Sequence, residues 1–174
     1  MESKTEKQFI AAFDKYSNAI YRFCFFRLSN NRELAKDMMQ QTYLKAWEYV
    51  YHGNQIDNIR AFLYQTARNL IIDYQRARKN KLETSIDAAD QNILTRHFSH
   101  YHLMDKIDAK LAAEILNELD DIYKEALQLR FIDGLRPKEI AQLLELSVDV
   151  VSVRINRGLN QMRNIINKKN GQNI

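Results

Sequence analysis

Glycine, proline and cysteine are scarce in this chain: four glycines, one proline and one cysteine among 174 residues. A β-sandwich or barrel turns back roughly every eight to twelve residues, and those turns consume glycine and proline. An all-β fold is therefore excluded, and the lack of a Gly-rich loop disfavours a dinucleotide-binding α/β domain. The lone Cys24 can form neither an internal disulfide nor a multi-thiolate zinc site. No apolar run approaches the roughly 18 residues of a membrane span, and the charged start MESKTEKQF lacks the apolar core of a signal peptide. A cytoplasmic protein is the expectation. There is no phosphate loop, no HExxH and no Ser/His/Asp arrangement, so neither catalysis nor a cofactor is expected. His97, His100 and His102 fall close together, but no cysteine accompanies them and their spacing matches no standard closed zinc site, so no metal is expected either.

What is present is apolar content arranged in helical periods. Hydrophobic residues make up 45% of the chain, too many for a disordered polymer. Phe9, Phe13, Tyr16, Ile20 and Phe23 recur at steps of three or four and predict a helix over 7–28. Ser29-Asn30-Asn31 is a polar break suited to capping. A second helix runs from Arg32 to Gly53-Asn54 on a stripe of Leu34, Met38 or Met39, Tyr43, Ala46, Trp47 and Val50. A third, over 58–80, buries Ile59, Leu63, Ala67, Leu70 and Tyr74. The period is lost over 82–103 and returns in helices at 104–117, 120–132, 137–145 and 148–168, with the tail from 167 expected to fray. Pro137 suits a first helical turn and Ser147 an N-cap. The fold class is all-α: a three-helix domain over 7–81, a linker over 82–118 and a second helical domain over 119–168.

Charge is segregated along this pattern. Residues 60–81 carry six Lys/Arg and one acid, residues 82–121 three and nine, and residues 122–174 nine and five. Two basic segments flanking an acidic one suit two modules on a polyanion, although RARKNK at 76–81 would equally serve as an ordinary solvated helix end.

Residues 137–158 read as two short helices joined by a tight break, with Ile140, Ala141 and Leu144 in the first and Val148, Val151 and Ile155 in the second. This is the helix-turn-helix pattern, whose second helix enters a major groove. Its outer face would present Asp149, Val150, Ser152, Val153, Asn156 and Arg157, with Arg154 flanking. Arginine can take guanine bidentately and asparagine can take adenine. Arg136 and Lys138, at the start of the preceding helix, are placed to hold phosphate. A plain helical hairpin would show the same pattern without binding DNA.

Three stretches resemble conserved regions of bacterial sigma factors of the sigma-70 family: DMMQQTYLKAW (37–47), FLYQTARNLIIDYQRARK (62–79) and LDDIYKEALQLRFIDGLRPKEIAQLLELSVDVVSVRINRGLNQMR (119–163). In this order, with a linker between, they are similar to the small two-domain members called extracytoplasmic-function (ECF) sigma factors. The resemblance implies a subunit that binds core RNA polymerase, through the β′ clamp helices and the β flap, and directs initiation at promoter DNA. Lys36, Asp37, Gln40 and Gln41 would form the polymerase face, with Gln41 standing where the family often has glutamate. Asn69 would read a −10 base, while Arg68, Arg76, Arg78 and Lys79 follow the backbone. The loop 51–57, with Tyr51, His52, Asn54, Gln55 and Ile56, corresponds to the family's base-capturing loop. Arg136, Lys138, Ser152, Arg154, Asn156 and Arg157 would bind the −35 element. Two departures imply an altered −35 preference: Ser152 replaces an arginine of the family's T-V-R-S-R stretch, and Arg136 replaces a capping Ser or Thr. An anti-sigma factor is a further candidate partner. Two other readings of the residues are a free-standing helix-turn-helix regulator and a helical adaptor.

Overall fold

The computed structural model describes residues 4–82, 111 and 114–171, and every regular element among them is helical. The expected linker 82–103 beyond Leu82, which ends a helix, the helix 104–117 over most of its length and the three histidines lie outside the described residues. The chain divides into two compact units, residues 1–86 and 87–174.

In the first unit, α1 (Lys4–Arg27) ends where Ser29 and Asn30 turn left-handed, at φ of 53° and 64°. That polar break then caps α2 (Arg32–Tyr51): the Asn31 side chain accepts from the Leu34 N–H at 3.0 Å. α3 (Ile59–Leu82) opens on the Asn58 side chain, which accepts from the Ala61 N–H at 3.1 Å. The three helices bury Ile20, Phe23 and Cys24 against Ala35, Met38 and Ala46, and against Leu63, Tyr64, Ala67 and Ile71. Small residues on α2 and α3 let the helices approach, and Phe23 and Tyr64 meet edge to face with centroids 5.4 Å apart. Cys24 is buried and free, a packing residue. The first half of the α1 stripe is less covered than its period predicts: Phe13 meets the Tyr43 ring of α2 at 4.8 Å and is still 42% exposed. Phe9 bridges Tyr43 and Trp47 in the same ring cluster. Burial pushes the Tyr43 phenol well above its ordinary range, and its O–H donates to the Ala12 carbonyl at 3.4 Å.

In the second unit, α4 (Asp121–Leu127) does not continue as an α-helix to 132 as its period predicts. Gln128–Ile132 widen into a π-helical turn, closed by the Asp133 N–H on the Gln128 carbonyl at 3.0 Å. The extra residue lets Gly134, at φ of 69°, reverse the chain and lets the Arg130 guanidinium donate to the Leu135 carbonyl at 3.2 Å. α5 (Pro137–Leu144) buries Ile140, Ala141, Leu143 and Leu144, and α6 runs from Val148 to Gly171. The tail expected to fray holds helix to Gly171. Lys169 reaches Glu118 at 2.6 Å, and that carboxylate raises the lysine's pKa. Farther back along α6, Gln161 and Asp120 exchange two hydrogen bonds of 3.3 and 3.2 Å. Gly158 sits against α4: a Cβ there would lie 3.1 Å from Leu127 and Tyr123.

Candidate functional site

The buried side of α2 is set by Ala35, Met38, Thr42, Tyr43 and Ala46. Its opposite side is left to solvent, and Lys36, Asp37, Gln40 and Gln41 are all exposed there. Leu44 lies one turn beyond them and is 57% exposed, an apolar centre within a polar surface. The sequence signal for Leu44 was its place off the buried stripe, seven residues after Asp37 and so on the same side of the helix. A mixed surface of this kind, with an exposed leucine among one cation, one anion and two amides, suits a protein partner.

α3 turns its core side inward through Leu63, Ala67 and Ile71, so Gln65, Asn69 and Arg76 share the opposite, exposed side. Asn69 is free to offer a donor and an acceptor together. Arg68 is half-buried on the flank. Arg78 and Lys79 are exposed near the helix end, Lys79 on the flank and Arg78 on the side that continues the core stripe past the end of the core. The structure thus brings Asn69 and Arg76 onto one face and spreads the other cations around it. The loop between α2 and α3 is held at its start, where Asn54 donates from its backbone and side chain to the Tyr49 carbonyl at 3.3 and 3.0 Å. Tyr49 in turn packs on Phe62, with centroids 4.9 Å apart. Tyr51, expected in the loop 51–57, is instead the last residue of α2, 76% exposed beside His52.

In the second unit the break between α5 and α6 is made by Glu145 in the left-handed conformation at φ of 55°, after which the Leu146 N–H donates to the Ala141 carbonyl at 2.9 Å. Ser147 then caps α6, its hydroxyl oxygen accepting from the Val150 N–H at 3.3 Å. Val151 is fully buried and anchors α6 on α5 and α4. With Val151 inward, Asp149, Val153, Asn156 and Arg157 lie outward and exposed, with Arg154 half-buried at the edge. Ser152 is half-buried, and its hydroxyl donates to the Val148 carbonyl at 2.9 Å, so only its lone pairs face a ligand. Arg136 and Lys138 are exposed at the start of α5. Arg136 caps that helix through its backbone, whose N–H donates to the Glu139 carboxylate at 2.7 Å, so the missing Ser or Thr cap is replaced by the reciprocal half of a capping box. The side chain also pairs loosely with Glu139 at 3.5 Å and stays in solvent.

Among the described residues no group of three or more His, Cys, Asp or Glu could hold a metal, and no helix is long and apolar enough to cross a membrane.

Residues 12–81 match the family model described as Sigma-70 region 2, and residues 110–162 the one described as Sigma-70, region 4. Among curated proteins, the ECF RNA polymerase sigma factor SigM of Bacillus subtilis (strain 168) is 29% identical over 136 residues, which span 78% of this chain and 80% of the relative. SigW of the same organism, also an ECF RNA polymerase sigma factor, is 29% identical over 160 residues, spanning 86% and 84%. The fold is shared with the sigma factor RpoE crystallised with the anti-sigma factor NepR from Bartonella quintana, at a TM-score of 0.75 and 21% identity over 92% of this chain and 98% of that one. A second solved structure, CnrH in complex with the cytosolic domain of CnrY, aligns at a TM-score of 0.67 and 21% identity over 94% and 90%.

Proposed function

The chain belongs to the sigma-70 family as an RNA polymerase sigma factor of the ECF type, and from that premise we propose how its own residues divide the work of promoter-specific initiation. A sigma factor binds core polymerase and confers promoter choice, so a free-standing regulator is not the reading. The chain does no covalent chemistry; its effect is differential binding of duplex and single-stranded DNA while it is held on the enzyme, in the cytoplasm.

The exposed side of α2, with Lys36, Asp37, Gln40, Gln41 and Leu44, holds the polymerase clamp. The observation that carries this assignment is Leu44, an exposed leucine at the centre of a polar helix face. On α3, Asn69 reads a −10 base and Arg76 tracks the strand from the same side. Arg68 and Lys79 hold backbone from the flank, and Arg78 does so from the helix end. Tyr51, at the end of α2 next to the anchored loop, offers a ring on which an unstacked base can rest. In the second unit, α6 enters the −35 major groove with Asn156 and Arg157 toward base edges. Arg136, Lys138 and Arg154 take phosphate, and Ser152 contributes through its lone pairs. The two domains of this reading cover 7–81 and 119–168, joined by 82–118. The solved complex of RpoE with the anti-sigma factor NepR supports an anti-sigma factor as a further partner.

Reconstitution with core polymerase tests the reading. Asp37→Arg and Leu44→Glu should each weaken core binding at least tenfold while leaving the circular dichroism spectrum unchanged, because exposed substitutions cost little stability. Normal core binding by both variants would remove α2 from the interface.

A further inference from the structure

The recognition surface of α6 contains an apolar element that hydrogen-bond readout does not use. Asp149, Val153, Asn156 and Asn160 follow one another at steps of three and four, opposite the buried Val151 and Gly158, and so form the crest of the outward face. Val153 stands at the middle of that crest and is 45% exposed, and Val150 beside it is 41% exposed. Val150 and Val153 line a shallow depression with Ile122 and Tyr123 of α4 and with Asp149, Arg154 and Arg157 of α6. Both valines are fixed: a β-branched side chain in a helix has one strongly preferred rotamer, so the methyls they present are presented rigidly.

The charge around this patch decides what covers it. Two arginines, Arg154 and Arg157, outweigh the one acid, Asp149, in its lining, and Arg136 and Lys138 stand exposed at the start of α5. A polyanion satisfies those charges, and an apolar protein surface would leave them desolvated without partners. Within a DNA major groove, the one apolar group on a base edge is the 5-methyl of thymine. A valine can neither donate nor accept, so it cannot read any other feature there. Ser152, the neighbouring residue that could have supplied a hydroxyl donor, already donates its O–H to the Val148 carbonyl.

The geometry points to thymine-methyl readout: Val153, with Val150 beside it, contacts one or two thymine 5-methyl groups of the upstream promoter element, adjacent to the base edges taken by Asn156 and Arg157. This rests on α6 being the promoter-reading helix, and it adds the base that the centre of that helix selects.

The test uses the full chain on core polymerase. The preferred upstream element is first selected from a randomised library. Each thymine of that element, on either strand, is then replaced singly by deoxyuridine, which removes the methyl and nothing else. At one or two positions promoter binding should fall about fourfold, the effect of exposing one methyl-sized apolar group. The Val153→Ser holoenzyme should bind the thymine promoter at the lower level and be indifferent to deoxyuridine there, with Val150→Ser doing the same at a second position if two respond. Deoxyuridine that is silent at every position, while Arg157→Ala still changes upstream preference, overturns the inference and leaves α6 as the reader. A response that persists in both serine variants also overturns it. Binding that is indifferent to the whole upstream element removes the assignment of α6 itself, and the inference with it. The deoxyuridine series uses the unaltered protein, so it decides the matter even if a serine variant is poorly folded.

Discussion

Asn69 is the proposed −10 reader because of what surrounds it. It stands on the exposed side of α3, opposite Leu63, Ala67 and Ile71, and its amide can both donate and accept. Asn69→Ala should lower transcription from promoters carrying the preferred −10 base and have much less effect on promoters already altered there; an equal loss on both would assign Asn69 to backbone or to structure. The two arginines of α6 separate in the same way. Arg157 is exposed next to the crest of the helix, and Arg154 is half-buried at its edge. Arg157→Ala should cost about 1–3 kcal/mol and relax preference at one upstream position, whereas Arg154→Ala should weaken all sequences evenly and shrink the salt slope by about one. Promoter selection from a randomised library by each variant, at two salt concentrations, distinguishes the outcomes. Both arginines were legible from the helical period alone. The occupied hydroxyl of Ser152 was not, because a side chain's bond to its own helix leaves no mark in a residue pattern.

The elements themselves were legible where an apolar stripe and a cap agreed. The Asn31 cap of α2, the Pro137 start of α5 and the Ser147 cap of α6 all stand where the residue types place them. Three features were hidden for physical reasons. The π-helical turn at Gln128–Ile132 keeps the same apolar content as an α-helix, so periodicity cannot separate the two. The last turns of α6 are near a lysine whose partner, Glu118, is far away in sequence. Phe13 fits the α1 stripe, yet it stays 42% exposed beside the Tyr43 ring, because a stripe does not show how far neighbouring helices cover it. Gly158 is a fourth case: nothing local requires glycine in mid-helix, where it is worth about 1 kcal/mol less than alanine. The tertiary reason is the close approach of α4, whose Leu127 and Tyr123 each stand 3.1 Å from the place a Cβ would occupy. Gly158→Val should therefore destabilise the second unit by about 1–3 kcal/mol through overpacking. Urea denaturation followed by circular dichroism measures this, and a variant as stable as the parent would mean that α4 and α6 can separate without cost.

At the scale of the whole molecule, the division into 1–86 and 87–174 has a functional consequence. The helices of the first unit bury their apolar sides on one another: Phe23 packs on Tyr64, Gln75 of α3 donates to the Arg27 carbonyl at 3.2 Å, and the Tyr43 hydroxyl donates to Ala12. Each of these contacts lies within residues 1–86, so the unit has an apolar core of its own. A chain of about this length can fold alone, though with a modest margin. The proposed polymerase face on α2 and the proposed −10 reader on α3 both stand on this unit, while the upstream reader stands on the other. A polypeptide of residues 1–86 should therefore unfold cooperatively in urea and compete with the full chain for core polymerase. It should also fail to distinguish promoters that differ only in their upstream element. If the two units carry separate contacts to DNA, as proposed, Asn69→Ala and Arg157→Ala in one full-length chain should lower promoter binding by close to the sum of their separate free-energy effects. A fragment that folds but does not compete would move the polymerase contact off α2. One that competes and still discriminates upstream sequence would take that reading away from α6.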